Sequence, residues 1–93
     1  MTVAFAWALV AGNGTVSGSH NIASCKHAGP GAYLVTYKAP FAASPGVQAT
    51  PFGLGGVTVS LNIMAMNMTE VLTWGANGKP MDSGFSFLAI GDA

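Results

Sequence analysis

Turn-forming residues divide this chain into segments that are too short for long helices. Thirteen glycines and five prolines are spread through its 93 residues. No window between them sustains an apolar stripe at helical spacing over three turns. The segments instead change character at every second residue, which is the pattern of a β-strand whose two sides face different surroundings. The sequence therefore predicts an all-β domain.

Six or seven short strands can be assigned from this alternation. The predicted strands cover residues 3–10, 21–27, 32–38, 46–50, 57–63, 69–74 and 85–90, and 21–27 has the weakest pattern. Glycine- or proline-containing turns at 12–14, 28–31 and 51–56, a loop at 41–45 and a polar loop at 75–84 separate them. Two packed antiparallel sheets are the simplest way to bury one side of each strand. We expect one small antiparallel β-sandwich domain over residues 1–93.

Charge is scarce in this sequence and indicates self-association. Lysine and arginine total three, aspartate and glutamate total three, and the net charge is zero. Charged residues make up 6% of the chain, against about 25% in typical soluble domains. Surfaces with little charge suit the buried core of a subunit interface. We therefore expect a homo-oligomer, and the alternative interpretation is a neutral surface of serine, threonine, asparagine and glycine.

The same composition excludes several classes of partner. Three scattered lysines and no arginine cannot follow a phosphate backbone, which needs several cationic contacts. No apolar run approaches the roughly 18 residues of a membrane-spanning helix. The apolar start of the chain has no lysine or arginine before it, so no signal peptide is recognised. The sequence predicts neither nucleic-acid binding nor membrane insertion.

Three methionines recur at every second position. Met64, Met66 and Met68 would point to one side of a strand. Methionine often fills irregular gaps in a core, which is one interpretation of this pattern. The other is an apolar seam between subunits near a symmetry axis. The sequence leaves both open.

The sequence lacks the groupings of side chains that catalysis needs. Its acids are Glu70, Asp82 and Asp92, and no nucleophile elbow, phosphate-binding loop or zinc signature occurs. Cys25 and His27 share one side of a predicted strand, where they are either metal ligands, a thiol–imidazole pair, or a buried cysteine beside a polar histidine. We predict no enzyme activity, no catalytic or metal-binding residue and no cofactor.

Two polar segments are candidates for ligand binding. Trp74 runs directly into a loop that carries Asn77, Lys79 and Asp82. An aromatic wall with a few polar groups is the usual design of a small-ligand site, including one for a sugar. A second candidate is the connection at 17–21, with His20 and Asn21. The alternative interpretation is an ordinary hairpin with Trp74 in the core, and a plain connecting loop at 17–21.

Several stretches together resemble the C-terminal domains of phage and prophage tail fibres. Residues 31–41, G-A-Y-L-V-T-Y-K-A-P-F, resemble the segment G-x-Y-x-V-T-F-x-x-P-F of that family. Residues 18–24 are similar to the lead-in often seen there, 45–50 to the following P-x-V-x-A-T strand, and 85–91 to the closing F-x-F-x-A-x-G strand. The same order is similar to H-type lectins. The resemblance implies a β-sandwich trimer that presents loops to cell-surface glycans, with Trp74 near the position of an aromatic beside the lectins' sugar site. Those lectins use arginine there, which this chain lacks.

These observations favour a lectin-like adhesion or receptor-binding module. It would act as a homotrimer on a virion tail fibre or outside the cell and recognise cell-surface carbohydrate. The alternative is a structural assembly subunit, such as a fibre tip, cap or decoration protein. That subunit would bind a particle protein and itself without a small ligand.

Overall fold

The computed structural model describes residues 2–52 and 55–93, and these residues form strands and connections without a helix. The strands are β1 (Val3–Val10), β2 (Val16–His20), β3 (Ile22–Gly29), β4 (Ala32–Tyr37), β5 (Gly46–Pro51), β6 (Thr58–Ala65), β7 (Met68–Trp74) and β8 (Phe85–Asp92). The first sheet has the order β2-β1-β8-β5 and the second sheet the order β3-β4-β7-β6. All neighbouring strands pair antiparallel. The prediction of an all-β, sandwich-like domain is confirmed. Part of the predicted turn at 51–56 lies outside the described residues.

The described residues hold eight strands, one more than the largest number predicted. The additional strand is β2, which the sequence presented as a polar connection because it contains serine, glycine and histidine. It forms by pairing along β1, with Gly18 opposite Leu9 and His20 opposite Trp7. A Cβ atom on Gly18 would lie 3.3 Å from the Trp7 indole, so the glycine makes room for this ring. β2 therefore forms a strand because it pairs with β1, although its own sequence lacks an alternating apolar pattern.

The core between the sheets is filled by rings from β4 and β8. Tyr33 packs edge-on against Phe85 with ring centroids 5.0 Å apart, and Tyr37 lies 6.2 Å from Phe87. All four side chains are buried. β1 contributes mainly small residues to this space, since its buried positions are Ala6, Ala8 and Val10. The large side chains of β1 therefore point away from the core.

Polar groups inside the sandwich are paired. The Tyr37 hydroxyl and Thr69 Oγ1 share a buried hydrogen bond of 2.8 Å. The Tyr33 hydroxyl donates to the Gly12 carbonyl at 2.6 Å and accepts from the Ser83 backbone N–H at 3.2 Å. Among the described residues, every buried side-chain nitrogen or oxygen has a partner. Desolvation by burial raises the pKa of both tyrosines.

The methionine run does not fill the core at its first two positions. Met64 is 53% exposed and Met66 is 42% exposed, so the core-filling interpretation is wrong for both. The physical reason is that this run spans the end of β6, the outermost strand of its sheet, and the turn to β7. Met68, on β7, is half-buried. The described residues contain no helix long and apolar enough to cross a membrane.

Candidate functional site

The outer side of the first sheet exposes a group of large apolar side chains. Its two central strands, β1 and β8, are fully paired, with Phe5 opposite Ile90 and Trp7 opposite Leu88. We call the set of large apolar side chains that point outward from these strands the outer apolar face. Its members are Val3, Phe5, Trp7, Leu9, Leu88 and Ile90, each between 37% and 63% exposed. Six large apolar side chains on one sheet face are therefore left to water by this chain alone.

The surroundings of the outer apolar face are polar but almost uncharged. β5 adds Gln48 and Thr50 beside β8, opposite Leu88 and Ser86. On the other flank, His20 of β2 stacks on Phe5 with ring centroids 4.7 Å apart. Of the six charged residues of the chain, only Asp92 lies on a strand of this sheet, at the end of β8. The face therefore offers no charged group near its centre.

Two shallow hollows on this face lie between its large apolar side chains and smaller neighbouring residues. The larger measures about 340 Å³. Its outward-pointing lining comprises Trp7, Leu9, Leu88, Gln48, Thr50 and Ser86. The smaller, about 290 Å³, lies against Gly46, Gln48, Leu88 and Ile90, where the glycine has no side chain to fill the space. Such hollows accept the side chains of a packed surface or a small amphipathic ligand.

The structure places Trp74 on the outer side of the second sheet. The indole is half-buried, and its Nε1–H donates to Ser60 Oγ of β6 at 3.1 Å. Asn77 acts within its own loop, because its Oδ1 accepts the Lys79 backbone N–H at 3.1 Å. The Gly75 N–H donates to the Lys79 carbonyl at 2.8 Å and closes the same turn. Lys79 itself is exposed.

The side chain of Asp82 contacts a different part of the second sheet from that of Trp74. Its carboxylate accepts the Gly31 backbone N–H at 2.6 Å and a hydrogen bond from His27 Nε2 at 2.9 Å. The bond from Gly31, followed by that from His27, lowers the pKa of Asp82. These partners lie on β3 and its turn to β4, whereas Trp74 contacts β6, and β7 runs between the two. The four predicted residues of this loop are therefore not gathered into one pocket.

Of the second predicted pair, only His20 belongs to the outer apolar face. Asn21 holds the turn between β2 and β3 in the left-handed region, at φ 57°. Its Oδ1 accepts the Ala39 N–H at 2.8 Å, and its Nδ2 donates to the Ala39 carbonyl at 3.3 Å. Asn21 is thus committed to joining two chain segments, while the His20 ring extends the exposed aromatic surface.

Cys25 and His27 share a strand side as expected, and the described contacts of His27 are to other residues. The ring of His27 stacks on Tyr33, at 5.0 Å between centroids, and bonds to Asp82. Cys25 is half-buried, and desolvation raises the pKa of its thiol to about 11. In the part of the chain that the structure describes, no group of three histidine, cysteine, aspartate or glutamate residues could hold a metal ion.

Sequence reasoning missed the outer apolar face as a site, although its signal was present. The large residues of β1 and the pair Leu88 and Ile90 each recur with a period of two. Periodicity defines the two sides of a strand but not which of them meets the core. The scarcity of charge was the second signal, because it leaves few ionised side chains on the surface.

Comparison with known proteins found no relative of this chain. No family model, no curated protein and no solved structure matches the chain.

Proposed function

We propose that this chain is a self-associating assembly module that packs its outer apolar face against other copies of itself. The observation that carries the proposal is the exposure of six large apolar side chains on one sheet face without a charge at its centre. Antiparallel sheets usually place polar residues on the side that faces water. A face that breaks this rule on both central strands is typical of a surface that is covered in the working protein.

The size of the face supports a stable contact. Aromatic side chains have areas on the order of 150–250 Å², and the six exposed portions together present roughly 500 Å² of apolar surface, near the upper end for a free monomer. That is about a tenth of the chain's total accessible surface of 4988 Å². With the polar flank of Gln48, Thr50 and Ser86, the face approaches the roughly 800 Å² per partner of a standard interface.

The absence of charge favours another copy as the occupant. Any partner must cover Trp7 and Leu88 without burying an unpaired charge, because an isolated buried ion costs several kcal/mol. The same face of a second copy meets this condition, since its only ionised side chain, Asp92, lies at the margin. The resemblance to tail-fibre domains favours three copies, and we keep a trimer as the proposed number. A fibre tip, cap or decoration protein would use such a contact.

A lysine at the centre of the face tests the proposal. Leu88→Lys places an ammonium group opposite Trp7, where association would have to bury it. Burying an unpaired ammonium costs several kcal/mol, and each 1.4 kcal/mol weakens an association tenfold. We therefore expect the association through this face to weaken by on the order of a hundredfold or more. The matched control is Leu72→Lys, a central position on the outer side of the second sheet.

Sedimentation velocity at micromolar concentration reads out both variants. The proposal predicts a lower mass for Leu88→Lys than for the wild type, and an unchanged mass for Leu72→Lys. Equal masses for all three proteins, with the fold confirmed by circular dichroism, would contradict it.

Carbohydrate binding is the second candidate, and one observation favours it. The larger hollow joins the Trp7 indole to the polar side chains of Gln48, Thr50 and Ser86. This combination of an apolar wall with a few polar groups suits a pyranose better than the loop after Trp74 does. The lectin-like function proposed from the resemblance would then use the outer apolar face, with its hollow open to the ligand.

Two substitutions separate the candidates. Gln48→Ala removes a polar reader of the hollow and leaves the large apolar side chains in place. Binding to a glycan array that is lost in Gln48→Ala but kept in Trp74→Ala would support the carbohydrate site on the first sheet. An array without any bound glycan, together with the mass loss in Leu88→Lys, would leave self-association alone.

A further inference from the structure

The second sheet ends in an unprotected edge strand. β6 pairs with β7 on one side, and no strand among the described residues pairs with its other side. Its eight residues, T-V-S-L-N-I-M-A, include no charge, proline or glycine. A long uncharged edge presents free N–H and C=O groups and is a template for pairing with another chain.

The other three edges carry the features that normally prevent such pairing. β2 has five residues and an irregular register against Leu9 and Val10. β3 carries Lys26 and has two irregularities in its register with β4. β5 has six residues and ends at Pro51, which cannot donate a ladder hydrogen bond. In β6, by contrast, the register stays regular from Thr58 to Ile63.

The inner side of β6 is also incompletely covered. Leu61 pairs with Val71, and Ile63 pairs with Thr69, so both point to the core side of the sheet. Val71 and Thr69 are 0% exposed, yet Leu61 is 36% exposed and Ile63 is 41% exposed. β5 of the first sheet comes close to β6 but leaves the side chains of Leu61 and Ile63 partly exposed. An additional strand beside β6 would cover these two side chains.

We propose that β6 pairs antiparallel with β6 of a second copy around a twofold axis, with Leu61 opposite Leu61 of that copy. In this register Val59 lies opposite Ile63, and Ser60 lies opposite Asn62. Apolar side chains meet on the inner side, whereas on the outer side Ser60 meets Asn62 and Thr58 meets Met64. The result is one continuous eight-stranded sheet built from two second sheets.

The period of the strand restricts the register to shifts of two residues, and the pairing of Leu61 with itself sets Val59, Leu61 and Ile63 of one copy opposite the same three residues of the other. A shift by one residue would place Leu61 opposite Ser60 and set an apolar side chain against a polar surface, which antiparallel strands strongly disfavour. Aliphatic cross-strand pairs contribute to sheet stability, and a charged partner strand would have no counter-charge on β6. A second copy of the same strand satisfies both conditions.

This contact goes beyond the proposed function because it lies on the second sheet and uses no residue of the outer apolar face. A chain with two separate self-contacts joins face-mediated oligomers into larger assemblies. The two contacts can fail independently, so each has its own variants.

Disulfide cross-linking tests the register directly. Cys25→Ser first removes the native thiol, and Leu61→Cys then places one cysteine on the proposed axis. Directly opposite residues have Cβ atoms about 4.5–5.5 Å apart, close to the roughly 3.5–4.5 Å of a disulfide. Asn62→Cys in the same background is the control, because its nearest counterpart in the pair is Ser60.

We expect rapid oxidation to a covalent dimer for Leu61→Cys and at least tenfold slower oxidation for Asn62→Cys. Val59→Cys and Ile63→Cys should form a mixed dimer when combined, faster than either cross-links alone. A Leu61→Cys protein that forms no covalent dimer under oxidation, or that reacts no faster than Asn62→Cys, would overturn the proposal.

The Leu88→Lys background separates this proposal from the proposed function. Cross-linking of Leu61→Cys should persist in that background, since β6 remains intact when the outer apolar face is disabled. Loss of cross-linking there would show that the β6 contact is not independent and would refute it as stated.

Discussion

The direction in which β1 faces can be tested with two lysines at adjacent positions. Ala8 is 1% exposed and lies next to the buried Phe87 on the core side, whereas Leu9 is 43% exposed on the outer apolar face. Ala8→Lys must bury an ammonium without a partner, at several kcal/mol, and overpacks the core by about 1–3 kcal/mol more. A domain of this size has about 5–15 kcal/mol of stability in total. We expect this variant to be largely unfolded.

Leu9→Lys should remain folded. The long aliphatic stem of lysine covers much of the surface that leucine covered, and the ammonium reaches water, so the cost to the isolated chain is about 1 kcal/mol or less. Far-UV circular dichroism and urea unfolding at low protein concentration measure both variants. A folded Ala8→Lys protein beside an unfolded Leu9→Lys protein would mean that the large side chains of β1 form the core, and would refute our assignment of its two sides.

Two further predictions concern polar groups. Tyr37→Phe and Thr69→Val should each lower the free energy of unfolding, measured in urea, by about 1–3 kcal/mol, because each leaves a buried hydroxyl unpaired. The double variant should lose less than the sum of the two single losses. Strictly additive losses would contradict the buried bond. The Asp82 carboxylate, whose pKa is lowered by Gly31 and His27, stabilises the folded chain above the unfolded pKa of about 4. That contribution should disappear as the pH falls below this value, and Asp82→Asn should flatten this part of the stability profile; an identical acid profile would count against the bond.

Local sequence pattern was enough to locate most of the strands but not to orient them. The alternation of β1 separates Ala6 and Ala8 from Phe5 and Trp7, and hydrophobicity alone would place the larger pair inside. The fold reverses this because Tyr33 and Tyr37 of β4 already occupy the space between the sheets. That constraint comes from another strand, so it cannot be derived from β1.

The candidate loop site shows the same limit. The closeness of Trp74 to Asp82 in sequence suggested one pocket, but the two side chains contact strands on opposite sides of β7. The side-chain partner of Asp82 is His27, which is 55 residues away. No local pattern connects these two residues, because only the sheet order brings them together.

The mass of the wild-type chain in solution tests the central claim most directly. Light scattering at micromolar concentration should give a species of at least three times the 9.4 kDa of one chain. A homogeneous species of 9.4 kDa, with Val3, Phe5, Trp7, Leu9, Leu88 and Ile90 all open to solvent, would contradict the proposal that copies of this protein cover that face.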